Sequence, residues 1–429
     1  MRKNLIIIVI FMVVVLTVSQ LIGANDLGDK IKIKTQNINP ALVALRQDLH
    51  CHPELSMQEK RTSAIVVKRL KALGYEVRTG FAGTGVIGVL KCAKPGPVVA
   101  MRGDMDALPI TEATGLPYAS KVRASQERRE VGVMHACGHD IHTTILLGVA
   151  EVLAGLKDEL AGTIVIIAQP GEENGDGARR MIEDGALKGL DPQAFFAFHV
   201  EDALKTGKVG YTPGYGSANV DGFTLTITSE GCHGASPWLC VDPVTVGARV
   251  VLGLQEMISR EIDVNRNALI TVGSFHAGSA PNVIPQAAVL EATVRNYGED
   301  QRQLLKSKIE RLVAGICAAS GATYDLRYEI GIPARYNDPK LLHEVLPTVA
   351  RVLSPDATVE QLPEMGGEDF SYFAQLAPAV MFNLGIVSPD VEKTSVHSPT
   401  FVADEASIAI GVELMANIIA DYITKRTAK

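Results

Sequence analysis

The sequence predicts an α/β fold: a mixed sheet with helices on both faces, carrying a smaller inserted domain of the split βαβ (ferredoxin-like) kind. Three observations predict it. Residues 163–168 (TIVIIA) and 194–200 (AFFAFHV) are continuous apolar runs, the pattern of strands buried on both faces. They alternate with stretches apolar at helical spacing, notably 143–160, as expected where helices pack on both sides of a sheet. Between residues 216 and 333 the order changes to β-α-β-β-α-β, starting with the half-exposed alternation of 223–229 (FTLTITS).

Taken in order, Met1, Arg2, Lys3 and Asn4 form a short basic start, residues 5–18 are almost unbroken Ile, Val, Leu, Phe and Met, and small residues precede Ala24. This describes a secretory signal, residues 1–24, cleaved near Ala24. The alternative is an uncleaved anchor, because the run stretches to about 19 residues, near the lower limit for spanning. Asn39 is placed to cap a first helix with Pro40 at its first position, and Ile65, Val66, Leu70 and Leu73 recur at helical spacing before Gly74. Residues 86–91 and 98–102 are short strands bounded by Gly and Pro. The apolar strand 163–168 is followed by a helix at 178–187 and the strand 194–200. Strands at 223–229, 269–276, 288–297 and 323–330, with helices at 243–262 and 300–320, make up the inserted part. A helix at 339–353, a strand at 379–384 and a helix at 404–424 return to the α/β pattern. The expected organisation is therefore one discontinuous main domain, 38–215 with 334–427, interrupted by 216–333.

Composition narrows the function. The chain has 429 residues and a net charge of −7, which argues against a nucleic-acid binder held by bulk positive charge. Hydrophobic residues are 47% and charged residues 21%, a globular rather than a disordered mix. Six cysteines are too few for a disulfide-stapled scaffold of this length.

Metal-capable residues gather at five places: Asp104 and Asp106; His135, Cys137, His139, Asp140 and His142; Glu172 and Glu173; His199; and His397. Several follow expected strands, and in open α/β sheets ligands bind beyond the carboxyl ends of the strands. Cys137-Gly138-His139, read as an extended segment, points a thiolate and an imidazole to one side, and Gly138 permits close backbone approach. Adjacent Glu172 and Glu173 at a strand end suit a division of labour, one binding metal while the other takes a proton from water. Alone, the pair also reads as a solvated acidic turn, His199 as a core histidine, and His397 as ambiguous.

The order and length of the motifs resemble a known family. They are His50-Cys51-His52-Pro53-Glu54-Leu55-Ser56, Arg102-Gly103-Asp104-Met105-Asp106-Ala107-Leu108-Pro109, Met134-His135-Ala136-Cys137-Gly138-His139-Asp140, Gln169-Pro170-Gly171-Glu172-Glu173, Gly366-Gly367-Glu368-Asp369-Phe370 and His397-Ser398-Pro399. Over about residues 46–415 the chain resembles the amidohydrolases that cleave N-acyl amino acids: hippurate hydrolases, N-acyl-amino-acid amidohydrolases and plant auxin-conjugate hydrolases. These share a clan with aminoacylases and zinc carboxypeptidases.

The resemblance implies a zinc-exopeptidase-like catalytic domain with two divalent ions (Mn²⁺, Zn²⁺ or Co²⁺) held by Cys137, His139, Glu173, His199 and His397. It implies Glu172 as general base, with Asp104 and Asp106 orienting ligands. The stretch Gly231-Cys232-His233-Gly234-Ala235-Ser236-Pro237-Trp238 resembles a family turn whose histidine reaches a neighbouring subunit's site. His233 and Asn282 are accordingly the expected substrate-binding residues, and the inserted domain the expected lid and dimerisation domain of a homodimer or larger homo-oligomer. The expected substrate is a small N-acyl amino acid, with no nucleic-acid partner, in an exported protein. A dipeptidase or carboxypeptidase on the same scaffold, and a non-catalytic metal-binding protein, are the rival readings. A Cys232–Cys240 disulfide is left open by the sequence, as is the redox state of Cys51, Cys92 and Cys317.

Overall fold

The computed structural model describes residues 2–126, 129–391 and 394–427, and of residues 2–25 and 126 the backbone alone. The chain forms two units. One comprises Met1–Pro213, Asn337–Gln361 and Phe373–Lys429, the other Gly214–Tyr336 and Leu362–Tyr372.

The first unit is built on an eight-stranded mixed sheet in the order Glu76–Phe81, Gly85–Lys91, Ala161–Gln169, Lys94–Asp104, Ala194–Lys205, Ala379–Val387, Val209–Tyr211, Thr358–Glu360. The strands from Ala161–Gln169 to Ala379–Val387 run parallel, and antiparallel pairings flank them on both sides. Side chains alternate between the faces of a strand, yet almost every residue of Ala161–Gln169 is buried, so both faces are covered. This is why the central strands are apolar without alternation. The helices His139–Ala154 and Ala406–Thr427 are buried on nearly every side, pack on each other, and both contact the strand Lys94–Asp104.

The first helix departs from expectation. It runs Arg2–Cys51 without a break, so Pro40 lies inside it and not at its start. A proline within a helix costs roughly 3 kcal/mol or more. Against that, Ile31 upstream and Leu42, Leu45 and Leu49 downstream are buried in one core with the His139–Ala154 and Ala406–Thr427 helices. Each such side chain contributes about 1.5–3 kcal/mol, and the sum outweighs the proline. Side chains of the expected signal segment, residues 1–24, lie outside the described residues, as does Met1 altogether. A second boundary shift matters more for chemistry. The helix expected at 143–160 opens at His139 and closes at Ala154, so the Cys-Gly-His motif straddles a helix start.

The second unit holds a four-stranded antiparallel sheet in the order Ala268–Ala277, Ala287–Asn296, Asn219–Thr228, Thr323–Ile332. Helices Pro243–Glu261 and Glu299–Ser320 close one core with it. Alternate residues Phe223, Leu225 and Ile227 are buried together with Val246, Val250, Leu254, Leu305, Ile309 and Val313. Asp242 caps the first of these helices by accepting from the Val244 N–H at 2.9 Å, with Pro243 at the first position.

Candidate metal centre

Parallel register assembles the site. Asp104 pairs with Gln169 and Arg102 with Ala197, which sets His199 at the level of Asp104. The Glu172–Glu173 turn follows Gln169, and Asp106 lies two residues beyond its strand. Three neighbouring parallel strands therefore deliver their carboxyl ends to one place.

The Cys-Gly-His segment joins them at the start of a helix. It is not extended: Gly138 is left-handed (φ 76°) and precedes the first residue of the His139–Ala154 helix. A Cβ there would lie 2.7 Å from Val200 Cγ2, so the close approach expected of Gly138 is present. The bend sets Cys137 Sγ 3.4 Å from His199 Nε2. His139 Nε2 and His397 Nε2 lie 3.9 and 3.5 Å from the same oxygen, Glu173 Oε1. Ligand atoms of Cys137, His139 and His199 fall within 4.8 Å of one another, as do those of Cys137, Glu173 and His397, and of His139, Glu172 and Glu173. All five expected ligands thus converge, with Glu172 beside them.

Hydrogen bonds decide which ring nitrogens face inward. His139 Nδ1 lies 3.1 Å from Asp106 Oδ1, and His199 Nδ1 donates to the Val200 carbonyl at 2.7 Å, so each presents Nε2 to the centre. His142 is different. Its Nδ1 lies 2.6 Å from Asp104 Oδ1 and its Nε2 accepts from the Val200 N–H at 2.9 Å, so neither nitrogen is left for an ion. Asp106 also accepts from the Glu173 N–H at 3.0 Å and from Ser56 Oγ at 2.7 Å, tying two expected ligands to one buried carboxylate. His397 is held in a left-handed conformation (φ 58°) with its N–H on the Ala136 carbonyl at 2.7 Å.

The donor set fits a cation. His139 Nε2 and Glu173 Oε1 are buried without a hydrogen-bond partner among the described residues. Two ligands of one tetrahedral ion, a sulfur at about 2.3 Å and a nitrogen at about 2.0 Å, stand about 3.5 Å apart, close to the Cys137–His199 distance of 3.4 Å. Burial pushes the Cys137 thiol above its ordinary range and raises Glu173 to about 7 despite His139 beside it. A thiol and a carboxyl buried in this way bind a proton or a cation to balance their charge. Burial also opposes ionisation of Asp104, but Arg102, His139 and His142 together hold it well below the usual carboxylate range.

Two supporting groups have no role assigned to them by the sequence. Buried Glu59 accepts from the Gly171 N–H at 2.9 Å and from Thr84 Oγ1 at 2.6 Å, bracing the turn that carries Glu172 and Glu173. His50 sits buried between Asp140 (2.8 Å) and Glu112 (3.2 Å), with Arg46 Nε 2.8 Å from Asp140. His50 heads the motif of residues 50–56, which names no role for it, and Glu59 stands among the polar residues Gln58, Lys60 and Arg61 with no distinctive spacing.

His233 and Asn282 belong to the second unit and are neighbours there. Cys232–His233 pairs with Val283–Ile284, and the Gly234 N–H donates to the Asn282 carbonyl at 2.7 Å. The Ala235 N–H donates to His233 Nδ1 at 3.0 Å, leaving Nε2 to carry a proton outward. A Cys232–Cys240 disulfide, which the sequence left open, clips this turn, while Cys51, Cys92, Cys137 and Cys317 are free.

Known proteins share this architecture. Residues 100–421 match the model of peptidase family M20/M25/M40. The thermostable carboxypeptidase 1 of Saccharolobus solfataricus is 35% identical over 408 residues, covering 93% of this chain and 100% of that protein. The N-acetylcysteine deacetylase of Bacillus subtilis is 35% identical over 378 residues, covering 88% and 95%. The crystal structure of Bacillus subtilis YXEP, a dinuclear metal binding peptidase from the M20 family, matches with a TM-score of 0.78 at 32% identity, covering 91% of this chain and 99% of that one. With the family model spanning most of the chain, the protein belongs to peptidase family M20/M25/M40.

Proposed function

We propose that this protein is a metal-dependent amidohydrolase that cleaves the amide bond of N-acyl or N-aroyl amino acids, releasing a carboxylic acid and an amino acid. The observation that carries the reading is the convergence of Cys137, His139, Glu173, His199 and His397 beside a carboxylate, Glu172, that is not needed as a ligand. These five residues would hold two divalent ions, Zn²⁺ suiting the thiolate and Mn²⁺ or Co²⁺ the imidazoles and carboxylate. When bound, the ions supply the charge that polarises an amide carbonyl and acidifies water.

The chain's own groups do the rest. Glu172 takes the proton of the attacking water and returns it to the leaving amine. Its turn is held by the Gly175 N–H on the Glu172 carbonyl at 2.6 Å and by Glu59 on Gly171. His233, which accepts at Nδ1 and so can donate from Nε2, is suited to hydrogen-bond the developing oxyanion, with Asn282 as a second polar contact; such a donor is worth about 3–4 kcal/mol. His233 serves the site of a neighbouring subunit in a homodimer or larger oligomer. Residues 1–24 act as an export signal, a reading supported by the disulfide, which belongs in an oxidising compartment.

The S. solfataricus carboxypeptidase similarity favours a second reading, cleavage of a C-terminal amino acid from short peptides. A panel of N-acyl amino acids and dipeptides, assayed with chelated and remetallated protein, separates the two. Glu172→Gln is expected to keep its metal content and lose about 10²–10⁴ in turnover; near-normal turnover would refute the assignment.

A further inference from the structure

We propose that Asp202 is a positioning residue for His397, aiming its imidazole into the metal centre. The proposal rests on the reading of His397 as a metal ligand.

His397 lies in the irregular segment between the strand Ala379–Val387 and the helix Ala406–Thr427, so no ladder fixes its backbone. It nevertheless adopts a left-handed conformation, φ 58°, which is uncommon for any residue but glycine. Two consecutive peptide N–H groups tether the backbone there. The His397 N–H donates to the Ala136 carbonyl at 2.7 Å, next to Cys137. The preceding N–H, that of Val396, donates to Asp202 Oδ2 at 2.9 Å. One tether is therefore backbone, available to any sequence, and the other is a side chain specific to position 202.

The strand that presents Asp202 is shaped for this contact. Ala194–Lys205 pairs in parallel with Ala379–Val387, Gly385 opposite Glu201 and Val387 opposite Lys205. Three residues, Asp202, Ala203 and Leu204, thus stand against Ile386 alone. Such a bulge breaks the in-and-out alternation and re-aims a side chain. Lys205, at the far side of the bulge, holds the start of the same segment through the Ser388 carbonyl at 3.3 Å and the Val391 carbonyl. The strand that carries His199 directly thereby also sets His397, through a carboxylate three residues further on. An aspartate suits the task because both of its oxygens accept, so either can take the Val396 N–H.

The test is Mn²⁺ titration of the full-length protein after chelation, followed calorimetrically, with thermal unfolding recorded alongside. Asp202→Ala is expected to weaken one of two Mn²⁺ sites by about 10–100-fold and leave the other site and the unfolding transition in place. Asp202→Asn, whose amide oxygen accepts the same N–H, is expected to restore both sites to within about threefold. Unchanged Mn²⁺ affinity in Asp202→Ala overturns the proposal, and so does an Asp202→Asn variant as weak as Asp202→Ala. His397→Ala separates the two readings. If it loses a site while Asp202→Ala keeps both, only the role of Asp202 is overturned; if it keeps both sites, His397 is not a ligand and the proposal falls with it.

Discussion

Gly138→Ala tests the geometry of the Cys-Gly-His turn most directly. The substitution adds one methyl group between Cys137 and His139. Two costs follow. The left-handed φ of 76° costs a non-glycine residue roughly 1–2 kcal/mol. The new Cβ would stand 2.7 and 3.0 Å from the two methyl carbons of Val200, and overpacking of this kind costs about 1–3 kcal/mol. The sum is about 2–5 kcal/mol. Val200 is buried and cannot swing into solvent. Its N–H and carbonyl hold His142 and His199, so any shift it makes is passed to the His199 ring. The expected outcome is a metal-free protein that unfolds at lower denaturant by that margin and rebinds metal more weakly. Adding Val200→Ala removes the clash and leaves the φ cost, so the double variant should show favourable coupling of about 1–3 kcal/mol relative to the sum of the two single changes. Gly138→Ala within about 0.5 kcal/mol of the wild type, with full metal content, would refute both the left-handed turn and its contact with Val200.

Two further outcomes are expected. Replacing Cys232 and Cys240 by Ser opens a loop of sequence separation 8, worth about 2.5 kcal/mol by loop-closure entropy; unfolding of the second unit should move to lower denaturant with metal content unchanged, and an unmoved transition counts against the cross-link. For His50, burial opposes protonation, but hydrogen bonds to Asp140 and Glu112 raise its pKa from 6.5 to about 9. A raised pKa contributes stability that is complete below pH 6.5 and is lost as pH climbs to about 9, on the order of 3 kcal/mol in all. His50→Gln should be less stable than the wild type and lack this decline; parallel pH profiles of the two proteins would refute it.

Much of the architecture is legible along the chain because burial writes itself into composition. The strands at 163–168 and 194–200 are apolar throughout because both their faces are covered, and 223–229 alternates because one face is not. The residue types of a metal centre are equally visible, since thiolate, imidazole and carboxylate stand out in a chain otherwise tuned for packing. The first helix is not legible in the same way, because its start is signalled locally and its extent is not. Proline and asparagine are strong local signals, and the contacts that overrule them are made with helices more than 90 residues away.

Selection among candidates is a property of three dimensions. His142 and His199 are the same residue type near the same motif, yet only His199 has a ring nitrogen facing Cys137, because the Val200 N–H and Asp104 occupy both nitrogens of His142. Gly138 announced a tight approach, but the residue it approaches, Val200, lies 62 positions away along the chain and meets it only in the folded structure. Asp202 and Glu59 carry no distinctive spacing and act by accepting hydrogen bonds from groups distant in the chain. Composition and periodicity report averages over a face or a segment, and these averages name the fold and the chemistry available. Which atom points where depends on individual long-range hydrogen bonds, and those exist only once the parallel strands have brought residues 104, 137, 173, 199 and 397 together.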